Sequence, residues 1–293
     1  MSLSLETAVA YVPRAARPCH FEPDILEFNQ GVLAPYGMRF DPSYAAGGSN
    51  TTFLELAEGV LREAPGPLPA PDLLIVAYAL PDPHAPEKTL AAHLTRVFDG
   101  RPLSFAVSEQ GLGAPFTALR IADAYLRSGR CRSVVLLILE QTSFPYPEPF
   151  VQDGGLVDSA VLLALGPAGG WELAGVGSSG PHSPPTTADL AALLDKPPGL
   201  PGDERPGDRL VVTGSWGDSL DLGPAGPKAH QAPPGSYCTG VWLEFARHHE
   251  EWRDAYRTIV FGDVDPRTGA GHVATFTRRE RAVAAGDRRG GHP

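Results

Sequence analysis

Two uninterrupted aliphatic runs constrain the fold of this chain more than any other feature of its sequence. Leu73–Ala79 reads LLIVAYA and Ser133–Leu139 reads SVVLLIL. Strands that are covered on both faces carry such continuous runs, whereas strands with one solvated face alternate apolar and polar residues. Because helices must cover both faces of such a sheet, the two runs predict a layered α/β fold.

Weaker strand signals and helical periods alternate along the rest of the chain. Further strands are predicted at Leu103–Ser108, Ser159–Leu165, Leu210–Thr213, Thr258–Val264 and His272–Thr277. Helical periods occupy Thr51–Glu63, Ala118–Tyr125, Thr187–Leu194 and Val241–Tyr256. This alternation is typical of a mostly parallel or mixed sheet with helices on its faces.

Charge and cysteine content exclude several classes of protein. The 24 basic and 34 acidic residues give a net charge of −10, which repels nucleic acid. No apolar run approaches the roughly 20 residues of a membrane span, and the first residues lack the pattern of a signal peptide. The three cysteines form no C-x-x-C pair, which argues against a cysteine-bound zinc ion and against a disulfide framework. We therefore expect a cytoplasmic protein that binds neither nucleic acid nor a membrane.

The segment from residue 103 to residue 166 carries a family resemblance. It contains a strand, a turn of small residues, a helix with an apolar face, a second strand, and then Asp153-Gly154-Gly155 before another strand. Together with the later segment GSYCTGVWLEFA, it resembles the thiolase superfamily, in particular the ketosynthase III-type condensing enzymes. The resemblance implies a layered αβαβα fold made of two related halves, residues 1–170 and a shortened half at 171–277. Residues 278–293 are expected to form an Arg-rich, flexible tail.

The catalytic positions of that family hold other residues in this chain. The family's nucleophilic Cys falls on Leu112, its His falls near Gly214 and Ser215, and its Asn falls on Ser236. A leucine side chain has no lone pair and cannot accept an acyl group. Because all three positions differ together, the alignment predicts that no family-type catalytic residue is present.

The resemblance then extends to the silent, Cys-lacking subunits of heterodimeric condensing enzymes. It implies an active ketosynthase III-like partner that handles acyl-CoA or acyl carrier protein thioesters in secondary metabolism. In this family the strand before the nucleophile turn lies at the dimer interface. The residues expected at the interface or along the partner's acyl tunnel are Leu103, Phe105, Val107, Gln110 and Leu112.

Two other functions remain open on the sequence alone. One is a stand-alone acyltransferase or thioesterase whose nucleophile is Cys238 or Ser108, since a helix start or a strand end can present such a group. The other is a homodimeric scaffold that binds acyl thioesters without catalysis. A covalent acyl adduct distinguishes the first, and ligand binding without an adduct distinguishes the second.

The remaining polar motifs are interpreted as structural. His230-Gln231 is predicted to lie in a loop, and His248-His249 to lie on a solvated helix face, where adjacent side chains point about 100° apart. Asp263 and Asp265 are interpreted as turn formers. No phosphate-binding glycine loop is present. The sequence therefore predicts no cofactor and no metal site.

Overall fold

The structure, a computed structural model, describes residues 2–14, 21–41, 43, 50–83, 90–144, 146, 148–181, 188–216 and 226–279. Within these residues seven α-helices are present: α1 Pro23–Leu33, α2 Phe53–Arg62, α3 Leu90–Val97, α4 Ala114–Arg127, α5 Pro149–Asp153, α6 Ala188–Asp195 and α7 Gly240–Ala255. Nearly all of the predicted tail at 278–293 lies outside the described residues.

Ten strands lie in the same described part of the chain. They are β1 Ser4–Tyr11, β2 Leu73–Tyr78, β3 Leu103–Val107, β4 Val134–Glu140, β5 Ser159–Gly166, β6 Trp171–Ser178, β7 Arg209–Thr213, β8 Lys228–Gln231, β9 Thr258–Val264 and β10 Gly271–Arg278. They form one sheet in the order β3-β2-β4-β5-β1-β6-β10-β9-β7-β8.

The strand order repeats itself in reverse about the centre of the sheet. In the first half, β2 pairs in parallel with β3 and β4, and β5 pairs antiparallel with β4 and β1. In the second half, β7 pairs in parallel with β8 and β9, and β10 pairs antiparallel with β9 and β6. The halves join where β1 meets β6. Strand β8 therefore corresponds to β3, and helix α7 corresponds to α4.

Helices α4 and α7 share one core between the two halves. Phe116 of α4 packs edge-on against Trp242 of α7, with ring centroids 5.1 Å apart, and both side chains are buried. The opposite face of the first half packs against α2 and α3, and that of the second half packs against α6. The layers thus alternate helix, sheet, helix, sheet and helix, which confirms the predicted fold class.

The aliphatic runs behave as the sequence predicts. Every residue of β4 is buried, and β2 is buried except for its last residue. Helix α2 begins at a capping box in which Thr52 and Glu55 satisfy each other's backbone N–H groups.

Some expectations from the sequence are wrong. Residues 228–231, expected in a loop, form strand β8, which pairs in parallel with β7. Strands β1 and β6 were not predicted at all. Strand β8 has only four, mostly polar residues, and β6 contains three glycines or alanines among its eight residues. Both carry little apolar periodicity, so long-range pairing decides their conformation.

Candidate functional site

Leu112 lies in a short 3₁₀ turn, Gly111–Gly113, that leads into helix α4. Its side chain is only 1% exposed and packs into the core shared by the two halves. Its backbone N–H donates a hydrogen bond to Asp265 Oδ2 at 3.1 Å. The place that the resemblance assigns to a nucleophile therefore holds a buried hydrocarbon, and its N–H is already bound by a carboxylate from the other half.

Gly214, at the position expected for the family's His, follows strand β7. The Asp263 carboxylate lies directly against it, where a Cβ atom at residue 214 would collide with the carboxylate oxygens. Asp263 is buried and accepts a hydrogen bond from the Val264 N–H at 2.9 Å. Burial, with Asp265 and Glu140 nearby, raises the pKa of Asp263 well above its usual range. Burial thus disfavours a charge on the acid that occupies the space beside Gly214.

Ser236, at the expected Asn position, precedes the start of helix α7. Its carbonyl accepts a hydrogen bond from Trp216 Nε1 at 2.9 Å. The three residues after it direct their N–H groups at Glu140, at 2.8 Å from Tyr237 to Oε1 and at 2.6 Å from Cys238 and 3.3 Å from Thr239 to Oε2. A buried carboxyl group from the first half thus binds three successive backbone donors in the segment that leads into α7, the last of them the N–H of the N-cap residue Thr239.

Burial dominates the electrostatics of Glu140. It raises the pKa of this carboxyl to about 7, although the three backbone hydrogen bonds act in the opposite direction. Glu140, Asp263 and Asp265 are all almost completely buried. We call these three residues the carboxylate cluster. Each of them occupies space or binds a donor beside one of the three aligned catalytic positions.

Tyr237 connects two members of the carboxylate cluster. Its N–H donates to Glu140, and its hydroxyl donates to Asp265 Oδ2 at 2.7 Å. Burial and the charge of Asp265 raise the pKa of Tyr237, so the hydroxyl remains a donor. Asp265 Oδ1 also accepts from the N–H groups of Arg267 and Thr268, as expected of a turn former. Glu140, Tyr237, Asp265 and the Leu112 N–H therefore join the two halves through a continuous set of hydrogen bonds.

Aromatic side chains pack over this network. The Phe150 ring stacks on Trp216 with centroids 4.7 Å apart and meets Tyr237 edge-on at 4.6 Å. Tyr237 is buried, whereas Phe150 and Trp216 are half-buried. Aromatic packing thus fills the approach to the network from the side of α5.

The two fallback nucleophiles lie in different surroundings. Cys238 is buried, and its Sγ donates to the Leu139 carbonyl at 3.6 Å. Burial and Glu140 raise the pKa of the Cys238 thiol well above its usual range, which is the opposite of what a nucleophilic thiolate requires. Ser108 is half-buried directly after strand β3.

The five described histidines pair elsewhere. His230 Nε2 lies 2.6 Å from Glu244 Oε2, and His248 flanks the same carboxylate at 3.7 Å. The other pairings are His93 with Glu58, His249 with the Ala246 carbonyl and His272 with Ser178. Among the described residues, no group of three or more His, Cys, Asp or Glu side chains is arranged to hold a metal ion.

The residues predicted for an interface or tunnel divide into two groups. Leu103 is 53% exposed and Gln110 is exposed, while Phe105 is half-buried and packs near the Tyr125 ring. Val107 and Leu112 are buried in the core. Strand β3 ends the sheet order, so its outer edge has no strand partner within the described residues.

A cavity of about 620 Å³ lies away from Leu112, on the other face of the first half. Strands β2 and β3 form its floor through Val76, Tyr78 and Ser104, and α2 and α3 form its walls. A second pocket of about 120 Å³ lies between Ser236, Glu244 and Arg247. Leu112 lines neither of them.

Sequence reasoning missed the roles of Glu140 and Tyr237 and saw Asp265 only as a turn former. One signal was present, because Glu140 is a charged residue that directly continues the aliphatic run of β4. Its partner lies almost one hundred positions later in the chain, so the run alone does not reveal what the carboxylate binds.

Solved structures of condensing enzymes have the same fold. The 3-oxoacyl-(acyl carrier protein) synthase III of Pseudomonas aeruginosa matches with a TM-score of 0.60 at 12% identity, over 96% of this chain and 99% of that one. The corresponding synthase of Aquifex aeolicus gives 0.61 at 13% identity, over 94% and 99%. OleA of Xanthomonas campestris with cerulenin bound gives 0.58 at 12% identity, over 94% and 99%.

The comparisons by sequence give no match. No protein-family model and no curated protein matches this chain. The solved structures therefore confirm the ketosynthase III-like resemblance at the level of the fold, and the fold is one used by acyl-thioester condensing enzymes. No helix in the described part of the chain is long and apolar enough to cross a membrane.

Proposed function

We propose that this chain is a non-catalytic subunit that pairs with an active ketosynthase III-like protein for acyl-thioester condensation or acyl transfer in secondary metabolism. The observation that carries the proposal is the state of the three aligned positions. Leu112 is a core residue, Gly214 lies under Asp263, and the donors after Ser236 are bound by Glu140. Such a chain has no family-type nucleophile to acylate.

The unpaired edge of strand β3 supports the proposal that this chain pairs with a partner. Strand β3 presents backbone N–H and C=O groups that no other described strand pairs, and Leu103 and Ala106 are exposed along it. Unpaired edges of this kind favour pairing with another chain. The partner's own β3-equivalent strand would extend the sheet, and the partner would bind the acyl-CoA or acyl carrier protein thioester.

Native mass spectrometry on the tagged chain, purified gently from its source organism, tests the proposal. We expect a one-to-one complex with a second ketosynthase-like protein. A homodimer or a monomer alone contradicts the proposal. So does a partner that turns over at full rate without this chain.

A pair of matched variants tests the role of the edge. Leu103→Lys places a charge on the proposed contact and should dissociate the complex. Val157 lies away from β3 and is 42% exposed, close to the 53% of Leu103. Val157→Lys should therefore leave the complex intact. Equal effects of the two variants would exclude β3 as the contact.

A further inference from the structure

Three polar residues face one another across neighbouring strands of the second half. The strand register pairs Ser178 of β6 with His272 of β10, and His272 with Asp263 of β9. Directly paired residues in antiparallel strands carry their side chains on the same face, about 4.5–5.5 Å apart at Cβ. Ser178, His272 and Asp263 therefore form a row on the face that carries α4. We call these residues the β6–β10–β9 row.

Ser178 and His272 are bonded to each other. Ser178 Oγ lies 2.9 Å from His272 Nδ1. Ser178 is exposed, whereas His272 is half-buried, so solvent reaches the hydroxyl while the ring is held within the protein. With Nδ1 as the acceptor, the neutral ring carries its proton on Nε2 and the serine hydroxyl is the donor.

The His272 ring is fixed in position from two sides. It stacks on Phe116 with centroids 5.5 Å apart. It also lies directly against Gly113, where a Cβ atom would come within 2.8 Å of Nε2. A glycine is thus needed at residue 113 for the ring to take this position, and the turn that carries Leu112 supports the ring.

The charge state of His272 suits a proton acceptor. Burial lowers the pKa of His272 to about 4, with Asp265 acting in the opposite direction and Arg120 in the same direction. The ring is therefore neutral near pH 7. Burial raises the pKa of Asp263, the third residue of the row, well above its usual range, whereas Ser178 and His272 bond to each other as a dyad.

We propose that Ser178 is a nucleophile and His272 its general base, in a site that cleaves carboxylic esters or thioesters. The proposed site is separate from the three aligned positions and needs no partner, and the chain remains non-catalytic in condensation because Leu112 offers no nucleophile. A neutral acyl substrate fits this place better than a phosphoryl substrate, because the Asp265 carboxylate acts on His272 and the net charge of −10 repels phosphate.

The reaction has two balanced steps. Ser178 Oγ attacks the carbonyl carbon while its proton passes to His272 Nδ1, and the departing alcohol or thiol takes that proton as the bond to carbon breaks. Water then attacks the Ser178 ester and gives a proton to His272. Ser178 Oγ leaves with that proton, and the acid product is released.

A neutral fluorophosphonate probe, followed by peptide mass spectrometry on the full chain, tests the proposal. We expect the label on Ser178. Ser178→Ala should abolish it, and His272→Gln should slow it at least about 100-fold. Ser128→Ala, at another exposed serine, is the matched control and should label as the unmodified chain does. A label on another residue, or an unlabelled but folded wild-type chain, overturns the proposal.

Two further measurements separate a catalytic role from a merely structural one. The labelling rate should stay level from pH 8 to pH 6 and fall towards pH 4, as His272 is protonated beside Asp265 and Arg120. Gly113→Ala should displace the ring and slow labelling while both members of the dyad remain. Gly31→Ala, where the added methyl group meets no atom within 4 Å, should not slow it. A midpoint near pH 6.5, or equal labelling of the two glycine variants, contradicts the role of His272.

Discussion

The starts of helices α4 and α7 occupy corresponding places in the two halves, and each is bound by a carboxylate from the opposite half. At the start of α4, Asp265 accepts one backbone N–H, that of Leu112. At the start of α7, Glu140 accepts three successive N–H groups, from Tyr237 to Thr239. The first start is closed by a hydrocarbon side chain and one hydrogen bond, and the second by a buried carboxyl group that accepts three backbone hydrogen bonds.

The two starts differ in how many backbone donors the carboxyl group from the opposite half accepts. Helix starts attract anions because their N–H groups are free and the helix dipole favours negative charge there. In this chain, backbone N–H groups in the segments that lead into both helices are bound by carboxyl groups of the protein itself. These hydrogen bonds link the two halves.

The largest effect should come from removing the carboxylate at α7. Glu140→Ala leaves three buried N–H groups without an acceptor, and we expect a loss of about 3–5 kcal/mol in the free energy of unfolding, measured in urea. Glu58→Ala, on the exposed face of α2, should change it by no more than about 0.5 kcal/mol. A loss below 1 kcal/mol for Glu140→Ala would show that water replaces the carboxylate and that α7 needs no internal anion.

A smaller effect should appear in the pH dependence of stability. Because the pKa of Glu140 is raised to about 7, this group contributes stability that is fully present below its unfolded pKa of 4.5 and is lost as pH rises through 7. Relative to Glu140→Gln, the wild-type chain should therefore lose up to about 3 kcal/mol between pH 5 and pH 8.

Two other titratable groups, Asp263 and His272, also affect the pH dependence of the free energy of unfolding. Asp263, whose pKa is also raised, acts in the same direction as Glu140. The lowered pKa of His272 acts oppositely, since its contribution is lost as pH falls from 6.5 through 4. The difference between wild type and Glu140→Gln removes most of both contributions. A difference that does not change with pH would mean that Glu140 stays ionised in the folded protein.

Weakening the corresponding carboxylate at α4 should cost less. Asp265→Asn can keep one oxygen for the N–H groups of Arg267 and Thr268 but turns its amide towards the N–H of Leu112. We expect a loss of about 2 kcal/mol in the free energy of unfolding. Asp195→Asn, on the exposed end of α6, serves as the control. A loss larger than that of Glu140→Ala would reverse the ranking of the two starts.

The frame of the molecule is more predictable from sequence than the contacts at these two starts. The runs that became β2 and β4, and the repeat of strand, helix and strand, follow from local apolar patterns. The same patterns missed β8, whose four residues KAHQ are mostly exposed and become a strand by pairing with β7.

The site itself depends on contacts between distant positions. Leu112, Gly214 and Ser236 were located by resemblance, but nothing local indicates that Asp265, Asp263 and Glu140 would be their neighbours. Ser178 and His272 lie 94 positions apart, and only the pairing of β6 with β10 brings them together. Polar pairs of this kind follow from sheet register, which the sequence of a single strand does not specify.

The smallest effect tests whether the start of α4 keeps any power to activate a thiol. Leu112→Cys removes part of a buried side chain and should cost about 1–2 kcal/mol. Leu126→Cys, buried to a similar degree in the last turn of α4, should cost about as much.

The informative measurement is the rate of alkylation of each new thiol by iodoacetamide as a function of pH. Because the Asp265 carboxylate already accepts the N–H of residue 112, the thiol at 112 should react no faster at pH 7 than the thiol at 126. Faster reaction at 112 would mean that the helix start still lowers a thiol pKa beside a carboxylate, so that the leucine alone keeps this position unreactive.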